Sequence, residues 1–154
     1  MKSTPFKSKR SAQQDALFLL NKREYSFQEL IDKLLQRGHT QDEALVASEE
    51  MRTKDFQNDK RYAKYLVNSK AAQKQSPRKI KALARQKGVD PSLCDEFLEQ
   101  IDFFEPLKST IFRRFGETPY AYEQKTKIYR FLLSKGYDYE TAKSLLDEMA
   151  EESA

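Results

Sequence analysis

The chain has 154 residues, of which 34% are charged, and its mean hydropathy is −0.85. A single cysteine, Cys94, and a single histidine, His39, exclude an intrachain disulfide and a zinc site of the usual cysteine–histidine type. The longest apolar runs are too short to span a membrane, so we expect a cytoplasmic protein with no membrane association.

The first eleven residues form a basic segment. Residues 1–11 contain Lys2, Lys7, Lys9 and Arg10, and no apolar stretch of the kind found in a secretory signal follows them. We predict that 1–11 is a flexible N-terminal arm.

Two helix starts and one helix end follow within a short stretch. Ser26 and Thr40 each stand three residues before a glutamate, Glu29 and Glu43, which is the spacing of a capping box. In such a box the hydroxyl accepts from the glutamate backbone N–H, and the carboxylate accepts from the N–H of the cap residue. Gly38 can take the left-handed conformation that ends a helix. The pattern therefore predicts two consecutive helices.

The same pattern occurs three times along the chain. Gly38, Gly88 and Gly136 are 50 and 48 residues apart, and apolar residues recur at fixed helical distances from each glycine. The recurring positions are Leu30, Ile80 and Ile128; Leu34, Ala84 and Leu132; Ala44, Cys94 and Ala142; Ala47, Phe97 and Leu145; and Met51, Ile101 and Met149.

Each copy also contains an earlier amphipathic segment, so that the repeating unit is three helices. These segments lie at 12–22, 59–72 and 106–115. We therefore predict an all-α fold of three tandem three-helix repeats, in an elongated and curved array. The predicted repeats are 12–58, 59–105 and 106–154.

The second repeat contains the largest anomaly in the sequence. The 28 residues from Lys60 to Lys87 include ten basic residues and no acidic one. The ten are Lys60, Arg61, Lys64, Lys70, Lys74, Arg78, Lys79, Lys81, Arg85 and Lys87. Arg78, Lys81 and Arg85 fall on one stripe of a predicted helix. The run predicts a surface for a polyanion, either a nucleic acid backbone or an acidic protein groove. The alternative is a solvated basic face without a partner.

The sequence offers little for catalysis. We interpret His39 as a surface turn residue, and Cys94 as a small buried filler, because alanine occupies its position in both other copies. Without a glycine-rich phosphate loop or a catalytic cluster, we predict that the protein is not an enzyme and needs no cofactor. Four tyrosines could instead offer a contact surface: Tyr120, Tyr122, Tyr137 and Tyr139.

Three stretches of the chain resemble the RecX family of bacterial regulatory proteins. They are NKREYSFQELIDKLLQRG (21–38), DKRYAKYLV (59–67) and SPRKIKALARQKGV (76–89). The matching residues are Arg23, Tyr25, Ser26, Glu29, Leu30, Lys33, Leu34, Asp59, Arg61, Tyr62, Ala63, Pro77, Arg78, Ile80, Lys87 and Gly88. The chain departs from the family pattern at Ser76, where glycine is expected, and at Leu83–Ala84, where a Glu–Leu pair is common.

The resemblance implies a modulator of the RecA recombinase, usually a negative one. Members of the family lodge along the groove of the RecA–single-stranded-DNA filament and limit its growth. They thereby damp ATP hydrolysis, strand exchange and the co-protease activity that triggers the SOS response. We accordingly expect a monomer whose partners are the RecA filament and single-stranded DNA. Filament capping, groove binding and binding of free DNA all remain open. The alternative is a stand-alone nucleic-acid-binding protein.

Overall fold

The computed structural model describes residues 6–154, and the regular secondary structure in that range is entirely helical, which confirms the all-α prediction. A 3₁₀ turn, Pro91–Cys94, directly precedes the sixth of its nine α-helices. The helices are α1 (Ala12–Lys22), α2 (Phe27–Gln36), α3 (Gln41–Thr53), α4 (Asp59–Ala72), α5 (Pro77–Gln86), α6 (Asp95–Leu98), α7 (Phe104–Phe115), α8 (Tyr122–Ser134) and α9 (Tyr139–Glu152).

One predicted capping box is complete and the other is half formed. Thr40 and Glu43 exchange both hydrogen bonds at 3.1 Å. The Ser26 hydroxyl accepts from the Glu29 N–H at 3.0 Å, but the Glu29 carboxylate binds both terminal nitrogens of Arg23, also at 3.0 Å. The prediction that Glu29 reaches back to Ser26 was wrong, because a bidentate pair with a guanidinium is stronger than a hydrogen bond to one backbone N–H.

The repeated apolar positions lie in the interior. The residues eight and four positions before each repeated glycine are wholly buried in all three copies: Leu30, Ile80, Ile128, Leu34, Ala84 and Leu132. Cys94 is wholly buried, as expected for a small filler. Helical periodicity in the sequence therefore identified the buried face of each middle helix.

The third helical segment of the middle copy is shorter than its counterparts. It consists of the 3₁₀ turn and α6, whereas α3 and α9 have 13 and 14 residues. Phe97 and Ile101 are only half-buried there. The spacing of three between Cys94 and Phe97 suits a 3₁₀ helix as well as an α-helix, so the apolar pattern could not separate the two.

The chain divides into two compact units. The first comprises the residues up to Leu66 together with Leu83–Asp95, and the second comprises Val67–Ala82 and Glu96–Ala154. A buried apolar cluster from α1, α2 and α3 lies in the first unit, and a second cluster, from α7, α8 and α9, lies in the second unit. Helices α4 and α5 contribute residues to both units. The division into an arm and three repeats stays a prediction.

Two equivalent serines join successive copies of the repeat within each unit. In the first unit the Ser26 hydroxyl donates to the carbonyl of Lys87 at the end of α5, at 2.8 Å. In the second unit the Ser76 N–H donates to the Lys135 carbonyl at 2.8 Å, and its hydroxyl donates to the Gly136 carbonyl at 3.0 Å. Both serines precede a middle helix by one residue. Each therefore caps its own helix and satisfies a carbonyl at the end of another.

Gly136 illustrates why this junction favours glycine. Its φ of +97° lies in the left-handed region, and a Cβ there would lie 2.7 Å from the Cβ of Lys79 and also against the Ser76 hydroxyl. Gly116, at +81°, has no described heavy atom within 4 Å of a corresponding Cβ. Both glycines therefore have a backbone conformation that disfavours a side chain, and at Gly136 the neighbouring atoms also leave no room for one.

His39 is buried, so its interpretation as a surface turn residue was wrong. Its imidazole is 1% exposed, and Nε2 donates to the Asp15 carboxylate at 2.7 Å. Arg37 donates to the other oxygen at 3.3 Å. Burial alone would raise the pKa of Asp15, but hydrogen bonds from His39 and Ser8 and the Arg37 charge hold that pKa below its usual value. Asp15 lies on α1, distant in sequence, so the residues around His39 gave no sign of the pairing.

The described part of the predicted arm contacts α1 and the end of α2. The Ser8 N–H donates to the Arg37 carbonyl at 2.8 Å, and the Arg10 guanidinium lies 4.2 Å from the Phe18 ring centroid. Lys2 lies outside the described residues.

Candidate polyanion-binding surface

Helices α4 and α5 contain eight of the ten predicted cations. Lys74 lies in the turn between the two helices, and Lys87 follows α5 directly. The start of α5 is set by Ser76, whose hydroxyl accepts from the Lys79 N–H at 3.1 Å, and by Pro77 in the first turn. Ile80 and Ala84 are buried, whereas Arg78 and Arg85 are exposed. Arg78 and Arg85 are seven residues apart, so they lie on the same side of the helix.

The first unit contains five of the predicted cations, and two of these are held by internal contacts. They are Lys60, Arg61, Lys64, Arg85 and Lys87. Arg61 donates from Nε to Glu24 at 2.9 Å and from Nη2 to two backbone carbonyls. The Lys87 ammonium lies 3.6 Å from the Glu29 carboxylate. Arg61 and Lys87 therefore stabilise the fold, and the nearby Glu24 and Glu29 carboxylates partly neutralise their charges.

Glu29 neutralises the cations around it. It lines a small hollow of about 300 Å³ together with Arg23, Lys33 and Lys87. The carboxylate is buried and is bound by Arg23 on both oxygens. This part of the first unit is therefore an internal ion-pair network and does not supply an anion site.

Lys64 and Arg85 differ from the other cations of the first unit. Both are exposed, and neither forms an ion pair with a carboxylate anywhere in residues 6–154. Lys60 is also exposed. Among the predicted cations of this unit, Lys64 and Arg85 are therefore two whose charge is not neutralised by an ion pair within residues 6–154.

The second unit contains Lys70, Lys74, Arg78, Lys79 and Lys81. The Lys79 ammonium donates to the Ser134 carbonyl at 2.9 Å, at the C-terminal end of α8, where the helix dipole favours a cation. Arg78 is exposed. Hydrogen bonds from Thr141 and, to a smaller extent, the Arg78 charge lower the pKa of Asp138. Lys70, Lys74 and Lys81 are half-buried.

Eight of the ten predicted residues thus separate into two groups. Arg61, Lys79 and Lys87 are fixed by hydrogen bonds or ion pairs inside the molecule. Five others form no ion pair within the described chain, and we call them the unpaired cations: Lys64, Lys70, Lys74, Arg78 and Arg85. This distinction is not visible in the sequence, because the partners Glu24 and Glu29 come from a different predicted repeat. Binding of a polyanion by these residues stays a prediction.

Residues 6–154 contain neither a metal-binding cluster nor a membrane-spanning helix. No group of three or more His, Cys, Asp or Glu side chains in that range is placed to hold a metal ion. None of its helices is both long enough and apolar enough to cross a membrane.

The sequence matches a known family over most of its length. The family model described as "RecX, second three-helix domain" matches residues 58–98. The protein named Regulatory protein RecX in Haemophilus ducreyi (strain 35000HP / ATCC 700724) is 32% identical over 133 residues, which are 85% of this chain and 87% of the relative. The protein of the same name in Legionella pneumophila (strain Corby) is 30% identical over 139 residues, or 87% and 91% of the two chains.

Two solved structures share the fold. The crystal structure of RecX from Lactobacillus salivarius superposes with a TM-score of 0.68 at 23% identity, covering 90% of this chain and 94% of that one. A crystal structure of a regulatory protein RecX gives a TM-score of 0.67 at 20% identity, covering 89% and 70% of the two chains. At these identities the superpositions establish the shared helical fold.

Proposed function

The chain belongs to the RecX family of regulatory proteins, and on this premise we propose that it is a non-enzymatic, mainly negative regulator of the RecA recombinase. It binds along the groove of the RecA–single-stranded-DNA filament. There it limits filament growth, ATP hydrolysis, strand exchange and co-protease activity.

The observation that supports this proposal beyond family membership is the set of unpaired cations. Arg78 and Arg85 are exposed on one side of α5, and Lys64 is exposed on α4. A filament that contains DNA presents closely spaced phosphates, and each cation that neutralises one releases a counterion. Several weak contacts made at once give affinity without a single strong site.

A second candidate function uses the same cations without RecA. A stand-alone nucleic-acid-binding protein would bind bare single-stranded DNA, with an affinity that falls steeply as salt increases. The unpaired cations alone do not discriminate between these two functions, because both ligands contain phosphates.

Binding of the labelled protein to three ligands separates the two candidates. The ligands are RecA alone, single-stranded DNA alone, and the filament assembled with a non-hydrolysable ATP analogue. We expect the filament to be bound at least about tenfold more tightly than either component at the same salt, because only the filament offers both sets of contacts. Equal affinity for the filament and for bare DNA would instead favour the stand-alone function.

A further inference from the structure

A groove between α8 and α9, in the second unit, combines aromatic and basic side chains. It has a volume of about 730 Å³, and α8 and α9 pack against each other along it. We call it the tyrosine groove. Its lining residues are Tyr122, Lys125, Thr126, Tyr129, Arg130 and Leu133 from α8 and Tyr139, Lys143 and Asp147 from α9.

Two of the three aromatic side chains that line the groove are largely exposed to solvent. Tyr122 is 84% exposed and Tyr139 is 56% exposed. The Tyr139 ring lies 5.0 Å from the Tyr129 ring, centroid to centroid, with 40° between their planes. Large exposed aromatic side chains that cluster in this way mark a binding surface more often than scattered ones do. Most of the Tyr122 side chain is therefore available to a flat ligand.

The charge of the groove is positive. Lys125, Arg130 and Lys143 are exposed and form no ion pair with any carboxylate of residues 6–154. Asp147 is the one acidic residue of the lining, which leaves a net charge of +2 (three cations less one carboxylate). Burial, together with the nearby Tyr139 and Asp147, raises the pKa of Tyr129, so its phenol adds no negative charge.

Rings and cations alternate along the groove. On α8 the lining residues recur at intervals of three, four and seven, so they form one stripe of the helix. From Tyr122 to Leu133 that stripe is about 17 Å long, at about 1.5 Å per residue. Several stacked bases, spaced about 3.4 Å apart, would fit along it.

We propose that the tyrosine groove binds single-stranded nucleic acid. Bases stack on Tyr122 and Tyr139, while Lys125, Arg130 and Lys143 contact the phosphates. This pairing of aromatic platforms with unpaired cations is how single strands are bound without sequence preference. A duplex is disfavoured because its bases are already stacked on each other. The site uses none of the predicted cations of 60–87 and does not rest on the RecA proposal.

The test uses the full chain and a fluorescein-labelled oligothymidylate of about 16 nucleotides, without RecA, with fluorescence anisotropy as the readout. Replacement of both rings, Tyr122→Ala with Tyr139→Ala, should weaken binding by roughly 25-fold or more, because each lost base stack costs about fivefold at least. Tyr122→Phe with Tyr139→Phe keeps the rings and should bind like the wild type.

Matched controls test whether the effect is specific to the groove. Phe112→Ala and Phe56→Ala remove aromatics that are 54% and 48% exposed outside it, and they should leave binding unchanged. Lys125→Ala should reduce the salt dependence by about one phosphate contact, whereas Lys127→Ala, on the same helix but outside the lining, should not. Circular dichroism confirms that each variant is folded.

Two results would overturn the proposal. The first is wild-type oligonucleotide binding by the Tyr122→Ala, Tyr139→Ala variant; if that variant also lost RecA-filament binding, the groove would be a protein-docking surface. The second is an equal loss of oligonucleotide binding in Phe112→Ala or Phe56→Ala. None of the oligonucleotide measurements contains RecA, so a failure there leaves the proposed function standing.

Discussion

Glutamate at both Arg78 and Arg85 should weaken binding to the RecA–single-stranded-DNA filament by at least about 30-fold. Both side chains are exposed on one side of α5 and neither forms an ion pair within the described chain. A cation–phosphate contact in water contributes about 1 kcal/mol, so the loss of two removes about 2 kcal/mol. The introduced carboxylates add repulsion, which increases the effect further. Binding is measured with labelled protein and preassembled filaments at a fixed salt concentration.

A second double variant controls for the change in net charge. Arg113→Glu with Lys127→Glu alters the net charge by the same amount, at two exposed cations on α7 and α8. It should retain binding within about threefold, because exposed charges that do not contact the ligand directly are largely screened by salt. If both variants lost affinity equally, only the net charge would matter, and the assignment of Arg78 and Arg85 to the interface would be wrong.

Asp15→Ala should destabilise the first unit by about 3–5 kcal/mol. The Asp15 carboxylate is wholly buried and accepts from His39 at 2.7 Å and from Arg37 at 3.3 Å. Its removal leaves the buried imidazole of His39 without that hydrogen bond, and breaking a buried pair by deleting one partner costs about this much. Urea unfolding followed by circular dichroism gives the free energy of unfolding. Asp32→Ala, an exposed carboxylate on α2, should change that free energy by less than about 0.5 kcal/mol.

The same carboxylate has a defined effect at low pH. The pKa of Asp15 in the folded protein is below its ordinary value of 3.8. The unfolded chain therefore binds the proton more readily, and the stability that Asp15 contributes is present above about pH 4 and is lost as pH falls through the folded pKa. The difference in stability between wild type and Asp15→Ala should shrink in this acidic range. A difference that stayed constant down to pH 2 would contradict the assigned ion pair.

Helical periodicity was enough to predict the middle helices and their buried faces. Leu30, Ile80 and Ile128 share one position of the repeat and are all wholly buried. This succeeded because the helical period and the apolar residues on it are local properties of the sequence. The ends of α2, α5 and α8 near Gly38, Gly88 and Gly136 were predictable for the same reason, since the left-handed conformation is a property of one residue.

Pairings between distant residues could not be read from the sequence. His39 is buried, and the Asp15 carboxylate on α1 accepts a hydrogen bond from it. Glu29 does not complete the predicted capping box because Arg23 binds its carboxylate. Arg61 was predicted as part of a polyanion-binding surface, but its guanidinium donates a hydrogen bond to the Glu24 carboxylate. In each case the prediction rested on the neighbouring residues alone, and a contact with a residue outside that local pattern determined the outcome.

The four tyrosines that the sequence suggested as a contact surface differ in burial, and only the structure shows this difference. Of the four singled out, Tyr120 and Tyr137 are buried, whereas Tyr122 and Tyr139 are exposed in the tyrosine groove. Tyr129 completes that groove and was missed, because its half-buried ring gave no signal apart from helical spacing. The spacing of Tyr122, Lys125 and Tyr129 on α8 was visible in the sequence, but the packing of α9 beside these residues was not.

The rate of ATP hydrolysis by RecA on single-stranded DNA, with this protein added at increasing substoichiometric amounts, tests the central claim most directly. Regulation at the filament predicts that hydrolysis falls when the protein is well below one copy per RecA, since each bound copy affects several subunits. It also predicts that the Arg78→Glu, Arg85→Glu variant needs a much higher concentration for the same effect. Unchanged hydrolysis at equimolar wild-type protein would contradict a negative regulator of RecA.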